Sequence, residues 1–147
     1  MKKGLFSLIV LFSLLAVSCS DDDDDSAIDK AKNDIVGNWE TKNIVGNYIL
    51  YYSFAEDGTG VVYGCDPTTL IVQTFEKFSN YYIELNVPIP EKEQNQFRGQ
   101  DKINRISFTS DNTGKKGVLY FFSLSETIMD SSYGMYKKVD KLNIVGL

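Results

Sequence analysis

Between Tyr48 and Tyr63 the sequence leaves little choice of backbone. Tyr48, Leu50, Tyr52 and Phe54 recur at every second position and so share one face of an extended strand. Glu56-Asp57-Gly58-Thr59-Gly60 follows, and Asp57-Gly58 supplies the positive backbone angles of a tight hairpin turn. Val61, Val62 and Tyr63 then return as the partner strand.

The rest of the chain after Ile35 reads the same way. Gly37 to Val45 is a first strand, and Gly46-Asn47 turns into the hairpin. Leu70 to Phe78 and Asn80 to Val87 read as a fourth and a fifth strand. The fifth has Tyr81, Ile83, Leu85 and Val87 on its inner face and Tyr82 on its outer one. Pro88 and Pro90 close it, and residues 91–102 are polar without periodicity, a long loop or a short helix. Ile103 to Thr109 and Val118 to Leu124 follow, then two short strands, Glu126 to Met129 and Tyr133 to Asp140, and an apolar tail from Leu142. Eight or nine short strands with tight turns predict an all-β fold, a small antiparallel up-and-down barrel of about eight strands. A β-sandwich is the competing architecture.

The N-terminus is of another kind. Lys2 and Lys3 precede an apolar run from Gly4 to Val17, the pattern of an export signal. It is too short for a membrane-spanning helix, which needs about 20 apolar residues. Leu15-Ala16-Val17-Ser18-Cys19 resembles a bacterial lipobox, which implies that Cys19 takes a diacylglycerol and becomes the first residue of the mature chain. Asp21, Asp22, Asp23, Asp24 and Asp25 form a like-charge block, a solvated tether by composition. They also resemble the export signal of lipoproteins sent to the outer face of the outer membrane, so the cell surface is expected ahead of the alternative, residence on the periplasmic face. The expected organisation is a signal peptide over 1–18, a lipidated and acidic tether over 19–34, and the β-domain over 35–147. Residues 26–34 have the makings of a helical turn or two, without enough apolar residues to pack firmly.

Composition narrows the function. Removal of residues 1–18 takes away two of the 15 basic residues, leaving 13 against 20 acidic ones, a net charge of −7. A nucleic-acid partner wants a basic patch and is not expected. There is no histidine, so histidine-based triads and histidine-rich zinc sites are excluded. No metal and no cofactor is expected. Cys65 is the thiol left once Cys19 is acylated, and burial is its expected role. The acids Glu56, Asp57, Glu76, Glu84 and Asp101 are scattered and suggest no catalytic pair, so the chain is not expected to be an enzyme.

A family resemblance joins these pieces. Ile35-Val36-Gly37-Asn38-Trp39 opens the first strand, and Phe54, Asp57, Gly58, Thr59 and Gly60 match a hairpin of the form F-x-x-D-G-T-G. Together they resemble the lipocalin-like (calycin-type) domains of bacterial lipoproteins, and Met135-Tyr136-Lys137-Lys138-Val139 resembles their final strand. The resemblance implies a barrel closed at one end by Gly37 and Trp39 and open at the other to a small apolar or amphipathic ligand. No arginine stands near the end to stack on Trp39; Lys137 or Lys138 can take its place.

The expected ligand-lining residues are Tyr48, Leu50, Tyr52, Phe54, Tyr63, Tyr81, Ile83, Leu85, Tyr120 and Phe122, which equally suit a filled barrel interior. Tyr51, Tyr82 and Tyr136 fall on the opposite faces. Two functions remain: a monomeric ligand-binding lipoprotein, held to outer-membrane lipid through Cys19, or a non-catalytic module at the cell surface recognising protein or glycan.

Overall fold

The computed structural model describes residues 25–146. The chain divides into two units, residues 1–30 and 31–147. Cys19 and Asp21 to Asp24 lie outside the described residues; Asp25 is helical and exposed, within a helical stretch over 25–35. Among the described residues no helix is long and apolar enough to cross a membrane.

The second unit is a closed barrel. Its strands are β1 (Gly37–Glu40), β2 (Ile49–Phe54), β3 (Gly60–Cys65), β4 (Val72–Pro88), β5 (Lys102–Ser110), β6 (Lys116–Leu124), β7 (Ile128–Ser131) and β8 (Gly134–Val139). Each pairs antiparallel with the next, and β8 pairs with β1 to close the sheet, so the barrel and not the sandwich is the architecture. The hairpin turn forms as its residues dictate. Gly58 has φ of 89°, and Asp57 Oδ1 accepts from the Thr59 amide at 3.0 Å and the Thr59 hydroxyl at 2.6 Å.

Two strand assignments are corrected. β1 ends at Glu40, because the Thr41 hydroxyl donates to the Met135 carbonyl at 2.8 Å and turns the chain into a loop. The expected fourth and fifth strands are one 17-residue strand, β4. Its polar Ser79 reads as a break, yet the strand runs on through a register shift there. Asp111 holds it, accepting from the Ser79 amide at 3.0 Å and from the Ser79 hydroxyl at 2.9 Å.

Glycines set which face of a strand turns inward. A Cβ at Gly60 would run into the Phe78 ring, and one at Gly117 into the Phe108 ring. Each ring lies over a bare backbone, so Gly60, Val62 and Gly64 of β3 and Gly117, Leu119 and Phe121 of β6 face the interior. Tyr63, Tyr120 and Phe122 therefore face out, against expectation.

The segment before β1 packs more firmly than its composition promised. Ala31, Asp34 and Ile35 are buried, and Ala31 and Ile35 join the barrel core. The indole of Trp39, fully buried, donates to the Ile35 carbonyl at 2.7 Å. Lys138, not Lys137, lies over that ring, its Nζ 5.0 Å from the centroid and donating to the Asp34 carbonyl at 2.6 Å. Gly37 has φ of 134°, and a Cβ there would meet the Lys138 stem at 3.0 Å, so the residue before Asn38-Trp39 has to be glycine. Trp39 is thus fixed in the core between Ile35 and Lys138, with Gly37 admitting the Lys138 stem beside it.

Candidate functional site

The expected site was the barrel interior, which is packed with buried apolar side chains. Trp39, Tyr52, Phe54, Phe78, Ile83, Ile106, Phe108, Leu119, Phe121, Met129 and Tyr136 are all buried in one cluster. Rings run through it in unbroken contact. Tyr136 meets Tyr52 at 5.7 Å between centroids, Tyr52 meets Phe54 at 5.9 Å, Phe54 meets Phe78 at 5.8 Å and Phe78 meets Phe108 at 4.6 Å. The Tyr136 hydroxyl donates to the Leu50 carbonyl at 2.8 Å. Burial pushes the Tyr52 and Tyr136 phenols well above their ordinary value, neighbouring phenols adding to the shift. None of the five main clefts among the described residues is lined by Tyr52, Phe54, Ile106, Leu119, Met129 or Tyr136.

The ten expected lining residues accordingly separate. Tyr52, Phe54 and Ile83 are core, and Leu50, Tyr81 and Leu85 pack against it. Tyr63 packs against a second cluster on the outer wall, with Ile49, Tyr51 and Cys65 at its centre. Tyr120 stacks edge-on with Phe97 at 5.0 Å, and Phe122 lies under the Arg98 guanidinium at 4.0 Å, both outside the barrel. Tyr48 is half-buried and belongs to neither cluster. Of the three tyrosines expected on outer faces, Tyr136 is core, Tyr51 is buried under other side chains, and Tyr82 is 58% exposed. Val118, Tyr120 and Phe122 alternate with Leu119 and Phe121, so β6 is apolar on both faces and alternation alone gives no phase.

The largest of the five clefts, about 610 Å³, lies on the outer wall. Ile49 and Tyr51 of β2, Met135 of β8 and Leu70 make its apolar surface; Glu40, Lys42 and Lys137 bring charge to it. Its frame follows from local chemistry. Thr41 is tied to Met135, and the Asn43 amide and side chain both donate to the Thr41 hydroxyl, at 3.2 and 3.1 Å, which fixes one rim. On another side Asp66 Oδ1 accepts from the amides of Thr68 and Thr69, both at 2.9 Å, and this holds the carboxyl below its usual range. The tail completes the frame. Val145 donates to Leu70 at 2.9 Å and accepts from Val72 at 3.0 Å, so Asn143 reaches the cleft while Leu142 and Ile144 pack on the outer-wall cluster.

Charge is arranged with some care here. Glu40 and Lys137 are opposite one another in the β1–β8 register, and both line the cleft. They form no ion pair with each other. Trp39 is opposite Tyr52, so Glu40 and Tyr51 follow side by side on the outer face. Burial, then the Glu40 carboxylate, then Cys65, raise the Tyr51 phenol above its ordinary value. Cys65 is fully buried behind Tyr51, as expected, and burial raises its thiol too, which opposes nucleophilic chemistry.

Four other charged residues pair away from the cleft. Glu84 pairs with Arg105, and Arg98 makes a bidentate pair with Asp130 at 2.7 and 2.9 Å. The Arg98 pair and the Phe97–Tyr120 contact hold a 3-10 helix, Glu91–Phe97, against the outer wall, so the polar 91–102 stretch contains a short helix whose residues stay largely exposed. Among the described residues no group of three or more Cys, Asp or Glu converges to hold a metal ion.

Sequence reasoning passed over Ile49, Leu70, Met135 and the two facing charges. A signal was present: Ile49 and Tyr51 alternate with Leu50 and Tyr52, so both faces of β2 are apolar and something must cover the outer one. The fold that carries this site is a closed eight-stranded antiparallel up-and-down barrel, compatible with a lipocalin-like architecture. Comparison with known proteins gives no matching family model, no matching curated protein and no matching solved structure.

Proposed function

We propose that this protein is a lipid-anchored, outward-facing binding module of the outer membrane, without catalytic activity, that holds a small amphipathic ligand against the outside of a lipocalin-like barrel. The observation that carries the reading is the contrast between a lumen filled with aromatic rings and an outer-wall cleft of about 610 Å³ floored by Ile49, Tyr51 and Met135. That volume falls within the range of small-molecule sites, which are mostly apolar with a few placed polar groups. The anchor rests on Leu15 to Cys19 and the outward address on Asp21 to Asp25. Two or three acyl chains hold a protein firmly where one does not, so a domain behind such an anchor needs no membrane surface of its own.

Native mass spectrometry of the full protein purified from its own host tests the binding role. Added mass beyond the acyl groups is expected in the wild type and lost in Tyr51→Ala with Met135→Ser. A wild type with no added mass, or an adduct that survives the double substitution, would overturn it. For the anchor, Cys19→Ala is expected to abolish radiolabelled palmitate incorporation, and persistent labelling would refute lipidation.

A further inference from the structure

We infer that the outer-wall cleft selects a zwitterionic amphiphile, one whose head group carries both a cation and an anion beside an apolar chain. The inference rests on the reading of the cleft as a ligand site and adds the chemistry of its occupant. Glu40 and Lys137 face each other across β1 and β8. Opposite charges placed directly across a pair of strands ordinarily attract and close on each other. Here both line the cleft and neither pairs, with the other or with any described residue. Glu40 is half-buried at the cleft wall and has no ion-pair partner among the described residues. A carboxylate in that setting is stabilised by a ligand cation and repels a ligand anion.

The cation has a place to sit. Glu40 lines the cleft beside the largely buried Tyr51, whose phenol its carboxylate acts on, so a ligand cation seated at Glu40 is attracted by the carboxylate with the Tyr51 ring at its edge. Lys137 and Lys42, both exposed, stand ready for the anionic part of the same head group. Ile49, Leu70 and Met135 supply an apolar surface for the chain. A purely anionic amphiphile would satisfy the lysines and leave Glu40 opposed. A purely cationic one would do the reverse. Only a head group with both charges answers every charged residue of the cleft.

The test compares three probes that share one tail: decylphosphocholine, decanoate and decyltrimethylammonium, each below its micelle-forming concentration. Calorimetric titration uses the chain from residue 19 on, carrying Cys19→Ala so that it takes no lipid. Decylphosphocholine is expected to bind about fivefold more tightly than either single-charge probe, the size of one part-exposed charge contact. Glu40→Gln is expected to lower decylphosphocholine binding about fivefold and to leave decanoate bound as well or better. Lys137→Gln is expected to weaken decylphosphocholine and decanoate together and to spare decyltrimethylammonium. Equal binding of all three probes, sensitive to Tyr51→Ala, would overturn the charge selection while keeping the cleft as the ligand site. Failure of all three to bind, or binding indifferent to Tyr51→Ala, would overturn the cleft itself.

Discussion

Tyr52 and Tyr136 make the dryness of the barrel interior measurable. Both phenols are held neutral far above their ordinary range, by burial first; Tyr133 adds to the shift at Tyr52, and Tyr52, Tyr133 and Tyr51 add to it at Tyr136. In the unfolded chain a tyrosine ionises near pH 10. A group whose folded pKa is raised stabilises the fold fully below the unfolded value and loses that contribution as pH rises through and beyond it. One pH unit above the unfolded pKa, each such phenol costs the fold about 1.4 kcal/mol, or about 2.8 kcal/mol for the pair.

Tyr136→Phe separates this from every other alkaline effect. At neutral pH it removes a hydroxyl that donates to the Leu50 carbonyl at 2.8 Å and is expected to cost about 1–2 kcal/mol. At about pH 11 the variant escapes the 1.4 kcal/mol ionisation cost, so the two stability curves converge. Urea unfolding at both pH values reads the difference directly. A gap between wild type and Tyr136→Phe that stays constant with pH would refute the reasoning, because it would mean that water reaches the phenol and lets it ionise in the folded barrel.

Further consequences follow from single contacts. Gly117→Ala drives a methyl into the Phe108 ring and is expected to cost about 1–3 kcal/mol in urea unfolding; a variant as stable as wild type would show that the ring does not set the phase of β6. Arg98→Ala removes the bidentate pair to Asp130 and the cover over Phe122, so amide exchange over 91–100 should speed up while exchange in β2 and β3 stays unchanged. Ile144→Ser loosens the tail over Cys65, which is fully buried in the native protein, and native-state labelling of that thiol by a maleimide should accelerate. Labelling at the wild-type rate would show that the tail is not what protects it.

Much of the fold was legible because several signals agreed. Alternation from Tyr48 to Phe54, the Asp57-Gly58 turn and Trp39 at the first strand all point to a barrel, and barrel it is. The failures have physical reasons. Ser79 looks like a break, and the contacts that carry the strand through it, from Asp111 32 residues away and from the ladders with β3 and β5, are all tertiary. The phases of β3 and β6 depend on where Phe78 and Phe108 lay their rings, a tertiary matter that Gly60 and Gly117 signal only in hindsight. The site was missed for a related reason. An apolar face on both sides of β2 says that the outer wall is covered, and the unassigned tail beginning at Leu142 is part of that cover. Facing charges such as Glu40 and Lys137 emerge only from the register of the sheet.

The central claim is that the ligand lies on the outer wall and not in the lumen, and methyl NMR during titration with decylphosphocholine tests it most directly. The account predicts shifts at Ile49, Leu70 and Met135, with Ile106, Leu119 and Met129 unmoved. Shifts at Ile106, Leu119 and Met129 with Ile49 and Met135 unmoved would contradict it.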